Sequence, residues 1–552
     1  MTATATRAAA PADVSPMTNA LAGTGTLVRF ILRRDRVRLP VWIGAIAGMT
    51  VLTALSFPDI YTDATERQAR AVLIENPGIR AFTGPGFGLA DYTFGAMMAQ
   101  EMLSWLAIFV ALMSILLMVR HTRAEEEAGR AELVRSAVVG RHAHTVAALV
   151  VVGGASVALG VVTALGLGAV GIETITWPSS WLYGAALAAV GVVFAAVTAV
   201  TAQITEYGRG AGGLAGAAFA VAYLLRAAGD AMEVGGGFLS WLSPVGWAQQ
   251  TRVYVDDRWW PLLLAVALTA GLIALALWLS VRRDLGAGLR ATRAGSPGAS
   301  AWLAGPLGLA WRQHRASVIW WSVALFLFGL GYGSLASEVE AFVSELAALE
   351  EWMGELGESV IDSFLSVVML LVALAVAVFG LLTVLRPAAE ESAGRAEPVL
   401  ATAVSRIRWA GSHLMIAFAG SAVLLALSGL GLGISASSAL ADPGILPELV
   451  AAGLAYTPAV WLTLGVGAAL FGLLPRTTVL AWLVVAYAVA VGMFGELLSF
   501  PDWAQELSPF GHVPMLPAEH MTWTPLVVLT ALATGLVAAG LVGFRRRDLE
   551  TK

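Results

Sequence analysis

The stretch EEEAGRAE at residues 125–132 occurs almost unchanged a second time, because residues 390–397 read EESAGRAE. The two copies are 265 residues apart. Two further motifs recur at that offset or one residue short of it: LSPVG (242–246) with LSPFG (507–511), and RRDL (282–285) with RRDL (546–549). Matches that keep one register along so much of a chain indicate an internal duplication. The two halves therefore run in parallel as copies of one unit.

The composition is that of a membrane protein. Of 552 residues, 58% are hydrophobic and 13% are charged, whereas soluble domains have about 25% charged residues. A helix needs about 20 mostly apolar residues to cross a bilayer. Twelve segments meet this requirement: 39–57, 95–119, 144–167, 181–204, 210–225, 261–281, 317–335, 363–385, 412–434, 450–474, 477–497 and 525–544. The sequence predicts an all-α polytopic membrane protein with two parallel six-span repeats.

The positive-inside rule predicts the orientation of these spans. With both termini in the cytoplasm, the cytoplasmic segments hold most of the 33 basic residues, and the outer segments hold most of the 38 acidic residues. We therefore expect a disordered cytoplasmic tail at 1–24, a first six-span half at 25–285, a cytoplasmic linker at 286–306 and a second half at 307–552.

Several functions are excluded by residue types that the chain lacks. Lys552 is the only lysine, so there is no Walker A motif, which needs a lysine to reach the phosphates. There is no cysteine, and the seven histidines form no H-E-x-x-H or comparable pattern. We therefore expect no catalytic residue, no metal, no directly bound cofactor and no nucleic-acid partner.

An amphipathic segment precedes the first predicted span. Arg29, Arg33 and Arg36 share one helical face and apolar side chains form another, a pattern typical of a helix at the membrane surface beside anionic lipid headgroups. Arg312 and Arg315 begin the second half in a similar way. Each segment is either a simple anchor or a lever that contacts a partner protein.

The loop between the second and third spans of each half carries the duplicated motif. Its alanines, glutamates and arginines favour a short cytoplasmic helix, with an i,i+4 ion pair between Glu126 and Arg130. Gly129 would interrupt this helix and allow a close approach. The loop is either a solvated helix or a docking site for another protein. We favour docking because the same residues recur in both halves.

A Ser-Pro-x-Gly sequence precedes the last span of each half on the predicted outer side. Pro244 with Gly246, and Pro509 with Gly511, favour a tight reversal of the chain. The turn belongs either to an interfacial belt of aromatic residues or to a re-entrant segment that helps to close a transport pathway.

Ionisable residues within the predicted spans are few. Glu101 and Glu496 lie near the outer ends of the second and eleventh spans, and Arg226 marks the outer end of the fifth. None lies clearly at mid-membrane, where an ionisable side chain usually indicates a functional site. This argues against a carrier coupled to protons or sodium.

With these features in view, the chain resembles the permeases of type-2 ABC exporters in their fused, twelve-span form. That class has a cytoplasmic coupling helix after its second span, with a pattern like E-x-G-[TR]-x-E-x-[LV]-x-[ST]-x-[PV]-[VA]-x-R. The matching residues are Glu127, Gly129, Arg130, Glu132, Val134, Ser136, Val138, Val139 and Arg141 in the first half, and Gly394, Arg395, Glu397, Val399, Val404 and Arg406 in the second.

The second copy departs from this pattern. Its leading acid is displaced to Glu391, and Ala401 stands where a hydroxyl is usual. Pro398 is expected to bend or shorten the helix. The two coupling sites are therefore not expected to be equivalent.

A closer resemblance is to actinobacterial permeases of the tetronasin, or polyketide-antibiotic, exporter type. It rests on the first outer loop, where NPGIRA at 76–81 and TGPGFG at 83–88 are similar to a run found in that group.

These resemblances imply a transport subunit of a bacterial cell membrane rather than an enzyme. Two copies of a separate ABC ATP-binding subunit would dock on the coupling helices and would carry the ATP and Mg²⁺. Alternating access between the halves would then export hydrophobic or amphipathic small molecules, such as antibiotics and other drugs. The pathway would lie between the halves, lined by the second and fifth spans of each.

Two alternatives remain open from the residues. One is an ion-coupled secondary transporter, which would need buried charges and no ATPase. The other is a polytopic membrane enzyme, for which the acidic outer loop 338–362 is the candidate site. The spacing of apolar residues in that loop predicts an amphipathic outer helix instead.

Overall fold

The computed structural model describes residues 20–284, 286–289, 298–337, 339, 359–494 and 502–549. Several predicted features fall wholly or partly outside this set: the tail before residue 20, residues 290–297 of the linker, the end of the predicted span 477–497 with Glu496, and most of the acidic loop 338–362. Within the described residues every regular element is a helix. The all-α fold class is therefore confirmed.

Twelve helices are long and apolar enough to cross a membrane, which is the predicted number. We call them spans 1 to 12. In chain order they are Arg38–Ile60, Phe94–Glu127, Ala143–Gly168, Trp177–Ile204, Gly208–Met232, Pro261–Ser280, Pro306–Gly333, Val360–Ser392, Arg406–Ala439, Ile445–Leu473, Pro475–Gly492 and Trp523–Arg546.

Some of these spans are interrupted, and shorter helices connect them. Span 2 consists of Phe94–Met97, the π-helix Met98–Met102, Leu103–His121 and Arg123–Glu127. Span 8 consists of Val360–Val384 and Arg386–Ser392, span 10 of Ile445–Ala455 and Thr457–Leu473, and span 11 begins as the 3₁₀ helix Pro475–Leu480 before Ala481–Phe494. The shorter helices are Thr24–Arg34, Ala64–Ile74, Pro77–Thr83, Arg130–Arg135, Phe238–Trp241, Pro244–Gln249, Ala301–Ala304, Ala396–Leu400, Asp502–Leu507 and Pro509–His512.

The chain divides into two compact units, Met1–Ala294 and Gly295–Lys552. Spans 3 and 4 of the first unit meet at Gly160 and Gly184. A Cβ atom on either glycine would lie within 2.3 Å of the other's carbonyl oxygen. In the second unit, a Cβ atom on Gly472 would lie 1.8 Å from the carbonyl oxygen of Gly540. Glycine permits these backbone approaches, which small residues commonly provide between membrane helices.

Span 5 is longer than its apolar residues predict. The sequence suggests 210–225, but the helix continues to Met232. Arg226 therefore lies inside the helix, and placing it at the end of the span was wrong. The helix continues because Arg226 and Asp230 are both buried and pair with each other at i,i+4, so these charges do not end it.

The two units begin differently. In the first unit, the predicted interfacial helix is a separate element, Thr24–Arg34, and span 1 starts again at Arg38. Pro40 lies in the first turn of span 1, where a proline is tolerated because its missing N–H has no helical partner to lose. In the second unit, span 7 is one continuous helix that includes Arg312 and Arg315. The amphipathic start of the second half is therefore continuous with its span and not a separate element, since no proline or glycine interrupts residues 309–328.

Candidate functional site

The duplicated motif forms a bent segment at the end of span 2 and again at the end of span 8. In the first bent segment (residues 123–135), Gly129 has a φ of +70° between two short helices. In the second (residues 386–400), Gly394 has a φ of +69° between two short helices. This left-handed conformation favours glycine because other L-residues are strained there. The interruption expected at Gly129 is therefore confirmed.

The reason for the glycine is different from the one expected. A Cβ atom on Gly129 would meet nothing within 4 Å, and the same holds for Gly394. Neither glycine makes a close approach to another described part of the chain. The positive φ angle, and not a lack of space, explains why glycine occupies both positions.

Each bent segment is tied to the end of the last span of its own unit. Glu126 receives two hydrogen bonds from the guanidinium of Arg283, at 2.7 and 2.8 Å. Glu391 receives two from Arg547, at 2.6 and 2.7 Å. These side chains are largely buried. Paired hydrogen bonds between arginine and a carboxylate fix distance and orientation together.

The predicted ion pair between Glu126 and Arg130 is not formed. The chain turns at Gly129, so Arg130 contacts Glu125 instead, at 2.8 and 3.0 Å. Arg395 makes the equivalent contact with Glu390, at 2.7 and 3.2 Å. Hydrogen bonding to these carboxylates raises the pKa of both arginines.

The first bent segment has further polar anchors. Arg34, at the end of the interfacial helix, lies 2.5 Å from Glu125. Arg123 is fully buried and donates to the carbonyl oxygens of Ala202 and Ala287. Glu127 accepts a hydrogen bond of 3.1 Å from the backbone N–H of Gly208. The segment is thus held by charged groups from several parts of the first unit.

The second bent segment has no counterpart of Arg123 and packs on an apolar cluster as well as making ion pairs. Ala388 stands where the first copy has Arg123. Ala396 is buried in a small cluster with Trp409, Phe471 and Phe544. The two bent segments therefore share one ion pair to the last span but differ in their other anchors.

A buried acid connects the interfacial helix with span 2. Asp35 is fully buried and lies 2.5 Å from the imidazole of His121 and 3.4 Å from the guanidinium of Arg120. Neither Asp35 nor His121 was predicted from the sequence. The available signal was the single acid in the basic stretch RRDRVR at 33–38.

The remaining predicted residues of these elements face outward from the unit. Arg29, Arg33 and Arg36 are exposed, as are Arg312 and Arg315. Glu127, Glu132, Arg141 and Glu397 are exposed too. Arg406 is half-buried and donates to the carbonyl oxygen of Arg547.

The first bent segment and the residues that follow it also expose apolar side chains. Leu133 is 75% exposed and Val138 is 94% exposed. Such side chains beside charged ones form a surface that another protein can cover.

The Ser-Pro-x-Gly sequences begin short helices and do not form the tight reversals expected. Ser243 caps the helix Pro244–Gln249 by accepting hydrogen bonds from the backbone N–H groups of Val245 and Gly246. A Cβ atom on Gly246 would lie 2.0 Å from the carbonyl oxygen of Ser240. In the second unit, Pro509 begins a 3₁₀ helix, and Gly511 similarly approaches the carbonyl oxygen of Gln505. Proline in the first helical turn explains both starts.

The run that resembled the tetronasin-type permeases forms a cap segment (residues 76–88) over the end of span 5. Its Arg80 donates to the carbonyl oxygens of Asp230 and Ala231, at 2.9 and 3.3 Å. Its Gly86 donates to the side chain of Gln100, which lies in the π-helix of span 2. Glu101, next in that π-helix, pairs with Arg70 at 3.0 Å.

An apolar groove occurs at corresponding places in the two units. In the first it has a volume of about 660 Å³, lies between spans 3, 4 and 6, and includes Trp259 and Thr269 in its lining. In the second it has about 630 Å³, lies between spans 10 and 12, and includes Trp523 and Thr530. Apolar walls with a few hydroxyl groups suit hydrophobic molecules.

Comparison with known proteins assigns the family. The model of the C-terminal domain of the multidrug efflux system permease Rv1217c matches residues 26–279 and 303–545. The multidrug efflux system permease protein Rv1217c of Mycobacterium tuberculosis (strain ATCC 25618 / H37Rv) is 40% identical over 532 residues, which is 96% of this chain and 95% of that protein. The chain belongs to the Rv1217c permease family.

Membership of the Rv1217c family supports the coarser predictions. With its twelve apolar helices, this permease is a multi-pass membrane transport protein of an efflux family and not itself an enzyme. The comparisons support a multidrug permease and not the tetronasin-type label, which remains a prediction from the sequence of the cap segment.

Proposed function

We propose that this chain is the membrane permease of an ATP-driven ABC exporter, with both termini in the cytoplasm of a bacterial cell. Two copies of a separate ATP-binding subunit dock on the two bent segments, and they bind the ATP and Mg²⁺. The permease moves hydrophobic or amphipathic drug-like molecules out of the cell by alternating access between its halves. A relative named as the permease of an efflux system supports the presence of other components.

One observation carries the proposal. The ion pairs Glu126–Arg283 and Glu391–Arg547 occupy equivalent positions in two units that otherwise anchor their bent segments differently. Each pair joins a partly exposed segment to the end of a membrane span. A push on either bent segment is therefore transmitted directly to the last span of that unit.

The interfacial helix supplies a second connection in the first unit. Arg34 contacts Glu125, and Asp35 contacts His121 and Arg120 at the end of span 2. Closure of two ATP-binding subunits would move the first bent segment, and these contacts would move the interfacial helix with it. Rigid coupling of this kind lets one binding event shift a two-state equilibrium.

The cargo is proposed from the apolar grooves and from the family. A groove that is lined almost entirely by apolar side chains in each unit favours hydrophobic or amphipathic molecules. The name of the relative, a multidrug efflux permease, agrees with this class. The tetronasin-type resemblance makes polyketide antibiotics a finer proposal within it.

Co-purification tests the proposal. Leu133→Glu together with Val138→Glu places charges on the exposed surface of the first bent segment and of the residues that follow it, and leaves its ion pairs in place. We expect the wild-type chain to retain an ATP-binding subunit when it is purified from its own cells, and the double variant to lose it. The matched control is Phe238→Glu, because Phe238 is also an exposed apolar residue (74%) and lies in the helix Phe238–Trp241, outside the first bent segment.

A second variant tests the requirement for both bent segments. Gly129→Trp with Gly394→Trp adds bulk at two exposed positions, and we expect export to stop. If no ATP-binding subunit copurifies with the wild-type chain and this double variant still exports, the ABC proposal fails.

Ion-coupled efflux is the second candidate, because the buried Arg226–Asp230 pair is the kind of intramembrane charge it requires. The energy source separates the candidates. Export in inverted vesicles that needs ATP and survives an uncoupler supports the ABC exporter, and the reverse result supports ion coupling.

A further inference from the structure

A buried polar cluster lies at the end of span 5 in the first unit. Arg226 and Asp230 are fully buried and pair at 3.2 Å. The guanidinium of Arg226 also reaches the hydroxyl of Ser104 at 3.4 Å. Ser240 donates to Asp230 at 2.6 Å, and Gln249 donates to Ser104 at 2.5 Å. Four elements of the unit therefore contribute to one polar site.

Two parts of this cluster lack protein partners. Within the described residues, no protein atom accepts a hydrogen bond from Nε or Nη2 of Arg226, and none donates to Oε1 of Gln249. A ring face of Tyr223 lies 4.4 Å from the Arg226 guanidinium and covers one side of it. A buried guanidinium with free donors is costly unless another group binds it.

The charges of the cluster indicate the sign of that group. Arg80 of the cap segment donates to the backbone oxygen of Asp230 and is itself buried. Arg80 directs its donors to backbone oxygens, whereas two donors of Arg226 lack an acceptor among the described residues although its charge pairs with Asp230. An anionic oxygen group suits these donors, since charge-assisted hydrogen bonds are the stronger ones.

The described residues of the second half hold no buried ion pair that corresponds to Arg226–Asp230. At the offset of 265, apolar residues replace three polar ones: Val491 for Arg226, Met369 for Ser104 and Pro514 for Gln249. The cluster is therefore one of the features in which the two halves differ.

We propose that Arg226, with Ser104 and Gln249 beside it, is a recognition site for an anionic oxygen group, such as a carboxylate, on an amphipathic transported molecule. The site is closed in this structure, and it opens when the cap segment separates from the end of span 5. This proposal rests on the transport function proposed above, and it narrows the class of transported molecules to amphipathic anions.

Binding of two matched aromatic probes tests it. Anthracene-9-carboxylate and 9-methylanthracene share a fluorescent ring and differ in the carboxylate. We expect the full-length wild-type permease in nanodiscs to bind the carboxylate about tenfold more tightly. Arg226→Gln should remove this preference and leave the affinity for 9-methylanthracene unchanged. Arg226→Lys should keep part of it, because lysine retains the charge but not the forked geometry.

The ratio of the two affinities is measured on one sample, so a partly unfolded preparation does not change it. Gln249→Ala serves as a second variant and should reduce the ratio while Arg226 stays in place. Val491→Ala, at the corresponding position of the second half, should leave it unchanged. A wild-type ratio near one, or equal losses for both probes in Arg226→Gln, overturns the proposal.

This measurement needs neither nucleotide nor an ATP-binding subunit. A failure to copurify an ATPase would therefore overturn the ABC exporter without affecting the probe ratio. A wild-type affinity ratio near one would overturn the anion-site proposal without affecting the ABC-exporter proposal.

Discussion

Glu126 and Arg283 form a paired hydrogen bond across 157 positions of the chain, and it joins the first bent segment to the end of span 6. Arg283 is held at the same time by the side chain of Gln203 at 2.7 Å. The bent segment, span 4 and the residues after span 6 therefore meet at one guanidinium.

Replacing Glu126 by glutamine keeps the shape of the side chain and removes its charge. We expect the permease to lose about 1–3 kcal/mol of stability, because Arg283 keeps Gln203 but loses its counter-ion. Drug-stimulated ATP hydrolysis by the assembled transporter should fall toward the unstimulated rate. Thermal unfolding in detergent and ATPase assays measure these effects.

Glu132→Gln is the matched control, since Glu132 is an exposed acid in the same segment. It should leave thermal unfolding unchanged. Equal melting temperatures for Glu126→Gln and wild type would contradict a stabilising role for the ion pair.

At Gly129 the residue type should matter through its backbone conformation. Gly129→Val should destabilise the bent segment because a β-branched residue is strained at a φ of +70°. Gly129→Asn should be tolerated better, since asparagine adopts the left-handed region more readily. Limited proteolysis of residues 120–144 would report the difference. If asparagine and valine are equally harmful, space and not backbone conformation explains the glycine.

The contact between spans 3 and 4 leaves no room for a methyl group. Gly160→Ala would place a Cβ atom 2.3 Å from the carbonyl oxygen of Gly184, so the helices must move apart. We expect a loss of about 1–3 kcal/mol, measured by thermal unfolding. Gly154→Ala in the same span is the control, because its added methyl meets nothing within 4 Å. A similar melting temperature for both variants would argue against this packing.

Asp35 should matter for coupling more than its exposed neighbours do. Asp35→Asn removes the charge that faces His121 and Arg120. We expect the ATP-binding subunit to remain associated while drug-stimulated ATPase activity falls, because the interfacial helix no longer follows span 2. Arg33→Gln changes an exposed charge nearby and should preserve the activity. Normal stimulation in Asp35→Asn would rule out this connection.

The sequence predicted the parts of the fold that depend on local composition. Long apolar runs defined the spans, and the repeated motif defined two parallel halves, because both signals can be read without knowing which residues meet. Span 5 was predicted too short, since buried polar residues at its end look like a boundary until their partners are known. The interruption at Gly129 was predicted correctly for the same local reason.

The sequence alone could not predict which distant residues pair with each other. Glu126 was assigned to Arg130 by helical spacing, whereas it pairs with Arg123 and with Arg283, which comes from the other end of the half. Asp35, Arg123 and the role of Arg226 were missed because a single charge in a sequence does not reveal what it faces. The docking role of the bent segments remains a prediction.

The chain around Pro40 bears on how the two halves evolved. The break between the short helix Thr24–Arg34 and the first span lies just before Pro40 in one half, and the continuous helix Pro306–Gly333 of the other half has no such break. In a transporter assembled from two identical chains, any such substitution would be present twice. Fusing two gene copies into one reading frame removes that constraint, so each half can mutate independently and acquire a separate task.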